Sequence, residues 1–266
     1  MRKLLFLFVL MFCIGAFVFS QTTEDNDFSP LDVYYLGRAV AANILTVYKL
    51  YDNQEATKYL NQICQALVLN SSHQATYEGY FVAILDSNEF NAFATPGGHI
   101  FITKKMAESA YSEDMLAAII AHELAHIMLR HGIKIINETK LENELSAVAD
   151  WASSTAASQN AEATRAANFR DSVTKTVDVL MRSGYSQSQE FEADLEAVVL
   201  LAGAGYDPGA LMDMLKVLQS AKGSASGGFY STHPSPEQRI ANVSVLKFNK
   251  NDTLQYRAQR FKSVKF

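Results

Sequence analysis

His122-Glu123-Leu124-Ala125-His126 is the stretch that decides how this chain is read. Two histidines four apart in a helix project from one face about a turn apart, so both imidazoles can reach one metal ion. Glu123 is rotated off that axis, yet it stays close enough to act as base on a water at the metal. The flanking sequence predicts a long helix. Ser112 is an N-cap, Glu113 and Asp114 sit where the positive dipole end favours acids, and neither Pro nor Gly interrupts the run before Gly132. Arg130 and His131 fall in the expected last turn, with Gly132 as the left-handed C′ residue. Met115, Leu116, Ile119, Ile120 and Ile127 spread apolar surface around the helix, which predicts a core element rather than a solvated helix with two surface histidines. Uncharged imidazoles buried on such a helix need a polar partner, and a metal supplies one.

The rest of the composition frames that site. The chain has 266 residues, 48% hydrophobic and 19% charged, with a formal charge of −5. This is enough for one sizeable domain, and the balance is unlike that of a nucleic-acid-binding protein. Residues 1–20 read as a secretory signal: Arg2 and Lys3, an apolar run over 4–19, and Val18-Phe19-Ser20 as the cleavage site. The alternative is a retained membrane anchor, for which the apolar run is short. Phe12 before Cys13 argues against lipidation. Cleavage leaves Cys64 as the single cysteine, read as a small core residue within an apolar helical pattern. The chain therefore divides into a signal (1–20), a polar leader (21–29), one folded domain (30–245) around the His122 helix and a basic C-terminal tail (246–266).

Apolar spacing predicts helices over 31–51 and 55–69, and aromatic and β-branched residues predict a strand over 75–86. Two short strands flank Pro96-Gly97-Gly98, the second being His99–Thr103. Gly98, His99 and Ile100 are then candidates for pairing with an extended substrate backbone, against the alternative that the hairpin only packs on the helices. His99 is an outward strand residue rather than a ligand. Residues 138–181, with the only tryptophan at Trp151, are helical in propensity. Their poorly apolar section 152–168 forms either an exposed hairpin or a mobile segment, a candidate flap. A helix over 186–203 opens on a capping box from Ser186 to Gln189 and closes at Gly203 and Gly205. Asp207-Pro208 starts another helix, 223–228 is a Gly/Ser linker, and Ser231 to Arg239 opens a further one. Six basic residues against Asp252 over 247–266 make either a solvated tail or a segment that docks on an anionic surface, a membrane surface included. The fold class is α+β, mostly helical, with a small antiparallel hairpin beside the metal helix.

A catalytic zinc takes three protein ligands and one open position. Glu190, Glu192, Asp194 and Glu196 all lie on the helix over 186–203, with Glu190 and Asp194 on one face, and periodicity does not choose among them.

Five segments in order carry a resemblance: Asn91-Ala92-Phe93-Ala94-Thr95-Pro96-Gly97-Gly98, His122 to His126, Glu190-Phe191-Glu192-Ala193-Asp194, Ala204-Gly205-Tyr206-Asp207-Pro208 and Ser231-Thr232-His233-Pro234. Together they resemble the HtpX/BepA-like family of zinc metalloendopeptidases over about residues 30–245. The resemblance implies a zincin-like fold holding one Zn2+ per chain through His122, His126 and Glu190, with Glu123 as catalytic base. It implies that Asp194 orients a ligand imidazole, that His233 lies near the metal and can occupy its open position, and that Arg239 belongs to the site. Neither further membrane-spanning helices nor a tetratricopeptide array is visible, which resembles the compact, exported type. The implied partners are polypeptides, unfolded or envelope proteins in a periplasmic or envelope quality-control role, with no nucleic acid. Two other readings fit the same residues: a non-catalytic, zinc-stabilised chaperone or assembly factor, and hydrolysis of a non-peptide bond. The choice of zinc rests on ligand type and resemblance, since two histidines and a glutamate hold several first-row metals.

Overall fold

A helix that is apolar on nearly every side must lie at the centre of a domain, and the helix bearing His122 does. The computed structural model describes residues 28–73, 76–138, 184–221, 236–246 and 255–266, with 173–174, 177–178, 181–182 and 232–233. In chain order these form α1 (Pro30–Val47), α2 (Gln54–Leu69), β1 (Phe81–Leu85), β2 (Ala92–Ala94), β3 (His99–Thr103), α3 (Lys104–Ser109), α4 (Glu113–Met128), α5 (His131–Glu138), α6 (Gln187–Gly203), α7 (Ala210–Ala221), α8 (Pro236–Ser244) and α9 (Gln255–Ser263). The expected signal, the leader up to residue 27, Trp151, the flap candidate over 152–168 and the linker over 223–228 lie outside the described residues.

Ser112 caps α4, its hydroxyl accepting from the Met115 amide at 3.2 Å, and every residue from Glu113 to Ile127 is buried. α2, α6, α7, α9 and β2 pack around it. Leu116, Ile120 and Leu124 are fully buried, each contributing about 1.5–3 kcal/mol. Cys64 lies in the same core, where burial pushes its thiol up to about 12, so it packs as an inert apolar residue.

The sheet departs from a plain hairpin. β2 and β3 are antiparallel as expected, with Phe93 opposite Phe101, but β1 joins parallel to β3 and gives the order β1-β3-β2. The strand expected over 75–86 is confined to Phe81–Leu85, because Gly79 closes a turn with Thr76 just before it. α1 stops at Val47, short of residue 51, where Tyr48 turns extended and Leu50 bridges Leu85 at the outer edge of β1. α1 also lies directly on the turn between β2 and β3. A Cβ on Gly37 would sit 2.1 Å from the Gly97 amide nitrogen, so only glycine permits that approach.

Two ends of α4 differ from expectation. At the C-terminus Gly132 is not the left-handed residue: Arg130 is, at φ 58°, and Gly132 lies inside α5. The left-handed state costs a non-glycine residue roughly 1–2 kcal/mol, but it lets the chain restart a helix at His131. At the N-terminus Glu113 and Asp114 are buried, and the basic C-terminal segment covers them as α9. Glu113 accepts from Tyr59 Oη at 2.8 Å, Tyr206 Oη at 3.3 Å and Arg260 Nε at 3.1 Å, with a second bond from Arg260 Nη2. Asp114 accepts from the Asp207 amide at 3.0 Å and Arg257 Nη1 at 3.2 Å. The anionic surface on which residues 255–263 dock is thus the chain's own, because buried carboxylates require donors. Arg260→Ala is expected to lower stability by about 1–2 kcal/mol, since Glu113 then keeps only its two tyrosines. The check is the urea midpoint; an unmoved midpoint would mean that the tyrosines suffice.

Candidate metal centre

α4 and α6 pack side by side and present their polar faces to each other. From α4 come His122, Glu123 and His126; from α6 come Glu190 and Asp194, one turn apart. α6 starts where the sequence places it, with Ser186 and Gln189 forming the reciprocal capping box. Arg239 from α8 and His233 just before it complete the group. All seven are at most 3% exposed. The structure thus brings together every residue expected at the metal, while Gly98, His99 and Ile100, the candidates for pairing with a substrate backbone, do not join the group.

Those three sit elsewhere for a topological reason. β3 is the central strand, and its main-chain groups are already used: the Gly98 carbonyl accepts from Phe81, its amide donates to Thr95, and the His99 carbonyl accepts from Thr95. Ile100 lies between Val82 and Ala94. A substrate backbone has no edge to pair with there, so the expectation that this strand binds it does not hold. Among the named strands β2 is a buried outer strand whose far edge no named strand pairs with. Asn91 and Thr95 bond to β3, so by antiparallel alternation the main-chain groups of Ala92 and Ala94 point the other way. Ala92 to Ala94 line a small cavity shared with Glu123 and His233.

The acceptors around His122 and His126 assign their tautomers. Asp194 Oδ1 lies 3.1 Å from His122 Nδ1, so Nδ1 carries the proton and Nε2 a lone pair. His131 Nε2 lies 3.2 Å from Glu192 Oε2, and its Nδ1 lies 3.0 Å from His126 Nδ1. Burial lowers the His131 pKa and holds the ring neutral, so its single proton faces Glu192 and Nδ1 accepts from His126. Burial likewise holds His126 neutral, leaving its Nε2 as a lone pair as well. The two Nε2 atoms face each other at 3.1 Å, with Glu190 Oε1 3.3 Å from His126 Nε2 and Oε2 3.5 Å from His122 Nε2.

Lone pairs and a carboxylate converging in this way repel unless a cation sits between them. A tetrahedron of bonds of about 2.1 Å has edges of about 3.4 Å, which these separations match. The residues therefore fit a metal ion. Ligand atoms of His122, His126, Glu190 and His233 all lie within 4.8 Å of one another. Where no cation sits between them, a proton takes its place on His122. Burial and Arg239 oppose charge on its ring, yet Asp194 and Glu190 outweigh them and push its pKa up to about 9.

Arg239 balances the carboxylates. Its Nε and Nη2 donate to Asp194 at 2.9 and 2.6 Å, and its Nη1 lies 3.1 Å from Glu190. Burial alone would raise the Asp194 pKa, but Arg239 and His122 hold it down at about 2. His233 Nδ1 lies 2.7 Å from Glu190 Oε1, and together with Arg239 it keeps Glu190 well below the usual carboxylate range. Glu123 differs. Burial pushes its pKa up, and neither oxygen has a hydrogen-bond partner among the described residues; His233 Nε2 is 3.9 Å away. The remaining acid considered as a ligand, Glu196, instead pairs with His73 at 3.0 Å.

Three site residues escape a reading of spacing. His131 is five residues beyond His126, which in a continuous helix is about 140° around the axis; only the left-handed Arg130 brings it back. Glu192 is two residues from Glu190, hence on another face of α6, and it meets His131 from the side. Tyr185 stacks on the His126 ring with centroids 3.8 Å apart. It is set by Gly184 at φ 68°, where a Cβ would lie 2.2 Å from the Thr232 carbonyl oxygen. The pattern of glycine before an aromatic carries no signal of this.

A two-histidine helix with a carboxylate from its neighbour, beside a three-stranded sheet, defines a zincin-like metallopeptidase fold. The chain belongs to peptidase family M48, whose pattern matches residues 54–247. It is similar to the beta-barrel assembly-enhancing protease of Escherichia coli (strain K12), 28% identical over 70% of this chain and 38% of that protein. It is also similar to the putative beta-barrel assembly-enhancing protease of Vibrio cholerae, 30% identical over 70% of this chain and 38% of that one. The mitochondrial metalloendopeptidase OMA1 of Arabidopsis thaliana is 30% identical over 67% of this chain and 35% of its own length. The chain thus spans under two fifths of these curated relatives. No helix among the described residues is long and apolar enough to cross a membrane.

Removing His131 should release His126 from its orientation. His131→Ala is expected to weaken divalent-metal affinity about 10- to 100-fold, read by Zn2+ competition with a chromophoric chelator. An unchanged affinity would show that Tyr185 stacking alone orients the ring.

Proposed function

We propose that this chain is an exported zinc-dependent endopeptidase that hydrolyses peptide bonds in unfolded or envelope proteins. The observation that carries the reading is Glu123: a buried carboxylate with its pKa raised and both oxygens without a partner among the described residues, beside the converging ligand atoms of His122, His126 and Glu190. A purely structural metal site does not need an unsatisfied base next to it. Zinc bound by these three side chains would polarise the scissile carbonyl and bring water toward a pKa near 7. Glu123 takes the water's proton as attack begins and hands it to the departing amine. Asp194 and His131 hold the two imidazoles in the tautomers that leave Nε2 free. The outer edge of β2 fits an extended substrate backbone alongside Glu123, with the Ala92 carbonyl and the Ala94 main chain as partners, since the Ala92 amide already donates to Asn91 Oδ1 at 3.0 Å.

The names of the relatives support an envelope substrate, and the signal-like residues 1–20 support export. His233 serves as a latch at rest, since its ring joins the group of ligand atoms and leaves the site closed. Loss of that latch, in His233→Ala, is expected to raise basal cleavage. A fall of about 100-fold or more would instead assign it to stabilising the oxyanion, and no change would remove both roles.

The primary test is cleavage of unfolded casein by residues 21–266, with and without chelator, beside Glu123→Gln. The expected result is chelator-sensitive cleavage that disappears in a variant retaining its zinc. Retained proteolysis in Glu123→Gln would overturn the base assignment. A zinc-loaded protein that cuts nothing even as His233→Ala would favour the chaperone reading.

A further inference from the structure

A cleft of about 270 Å3 opens beside His126 and is lined by Pro30, Val33 and Tyr34 of α1. Its walls are aromatic with polar groups between, built by Tyr34, Tyr77 and Tyr80 with Thr76, Thr95 and the Pro96-Gly97 turn, and it reaches His126 and the Tyr185 stacked against it. Arg130 enters from the left-handed link between α4 and α5. No carboxylate is among the described residues that line the cleft, and His73, which lines it too, is engaged by Glu196. Arg130 forms no ion pair among the described residues, and its Nη2 is buried there without a hydrogen-bond partner. The left-handed link does not call for arginine, since a glycine would adopt it with less strain.

We propose that this cleft is a specificity site that binds a carboxylate of the polypeptide substrate on the guanidinium of Arg130. The inference rests on the peptidase reading for its ligand being a polypeptide. A guanidinium presents planar paired donors that match a carboxylate bidentately, and a buried donor lacking a partner gains most from one. The tyrosine walls suit the aliphatic stem of an acidic side chain. The volume lies just under the roughly 300–1,000 Å3 of small-ligand sites, room for one or two residues rather than a length of chain. Because the cleft reaches His126, its occupant is close in sequence to the scissile bond. The carboxylate has two sources, an Asp or Glu side chain within the substrate and the free α-carboxylate at a chain end.

The experiment measures binding, by fluorescence anisotropy, of labelled peptides to zinc-loaded Glu123→Gln protein, which holds peptides without cutting them. One series walks a single Glu through a neutral Gln-containing peptide with an amidated end. A second compares the free acid with the amide of that neutral peptide. The expected result is that one placement of the carboxylate tightens binding about tenfold. That gain should fall to within about twofold when Arg130→Gln is added and be kept only in part with Arg130→Lys, whose ammonium keeps the charge but not the paired donors. Both variants are L residues at the same φ, so backbone strain does not separate them. A gain in the first series assigns a side-chain carboxylate, and one in the second assigns a chain end. Equal affinity for every peptide, no binding of any, or a gain that survives Arg130→Gln overturns the inference. Casein cleavage by the wild type is scored separately. Cleavage without carboxylate preference sinks the cleft and leaves the peptidase; preference without cleavage does the reverse.

Discussion

The fully buried guanidinium of Arg239 is the charge on which this site depends. It lies between Asp194, which it grips with two hydrogen bonds, and Glu190, which it approaches at 3.1 Å. Two carboxylates in a dry core would otherwise take up protons or force the helices apart. With Arg239 in place both stay ionised, so Asp194 can fix the His122 ring and Glu190 can face the imidazole lone pairs. One cation from α8 thus sets the protonation of groups on α4 and α6. The same arrangement explains why Glu123, which Arg239 reaches only through space, is the carboxyl whose pKa rises.

Burial of charge is also what ties distant parts of the chain to α4. Its first turn carries Glu113 and Asp114 into the interior, and their donors come from α2, from Tyr206 and the Asp207 amide beyond α6, and from α9. The two ends of α4 are therefore constrained by different means. Ion pairs and tyrosine hydroxyls hold the start, while a left-handed residue and a histidine chain hold the finish. Between them the helix is packed on all sides, which leaves His122 and His126 little freedom to move. That rigidity suits a site whose two Nε2 atoms must stay 3.1 Å apart.

Access to such a site is the opposing requirement. Its metal-facing groups are at most 3% exposed, with His233 beside Glu190 and Tyr185 over His126. The small cavity along β2 and the Arg130 cleft share Ala94 and Tyr185, the first bordering Glu123 and His233 and the second His126. A chain laid along one, with a side group seated in the other, would meet Glu123 and the metal together. Both approaches depend on the close contact of Gly37 with Gly97, which holds α1 over the β2–β3 turn.

The sequence by itself determined the parts whose physics is local. The spacing of His122 and His126, the Ser112 cap, the Ser186–Gln189 box and the single helical face shared by Glu190 and Asp194 follow from 3.6-residue periodicity and capping chemistry, and each stands where that reasoning puts it. Resemblance added the choice of Glu190 and the nearness of His233 and Arg239, which periodicity left open. Tertiary structure alone decided what depends on meetings between distant segments. β1 joins β3 in parallel and makes Gly98 to Ile100 a central strand rather than an edge. A left-handed Arg130 turns His131 onto His126 and Glu192. The basic tail finds its anions in the chain's own buried Glu113. Strand order, the return of a chain after a helix end and the pairing of buried charges are set by the whole core at once, so no stretch of sequence holds them.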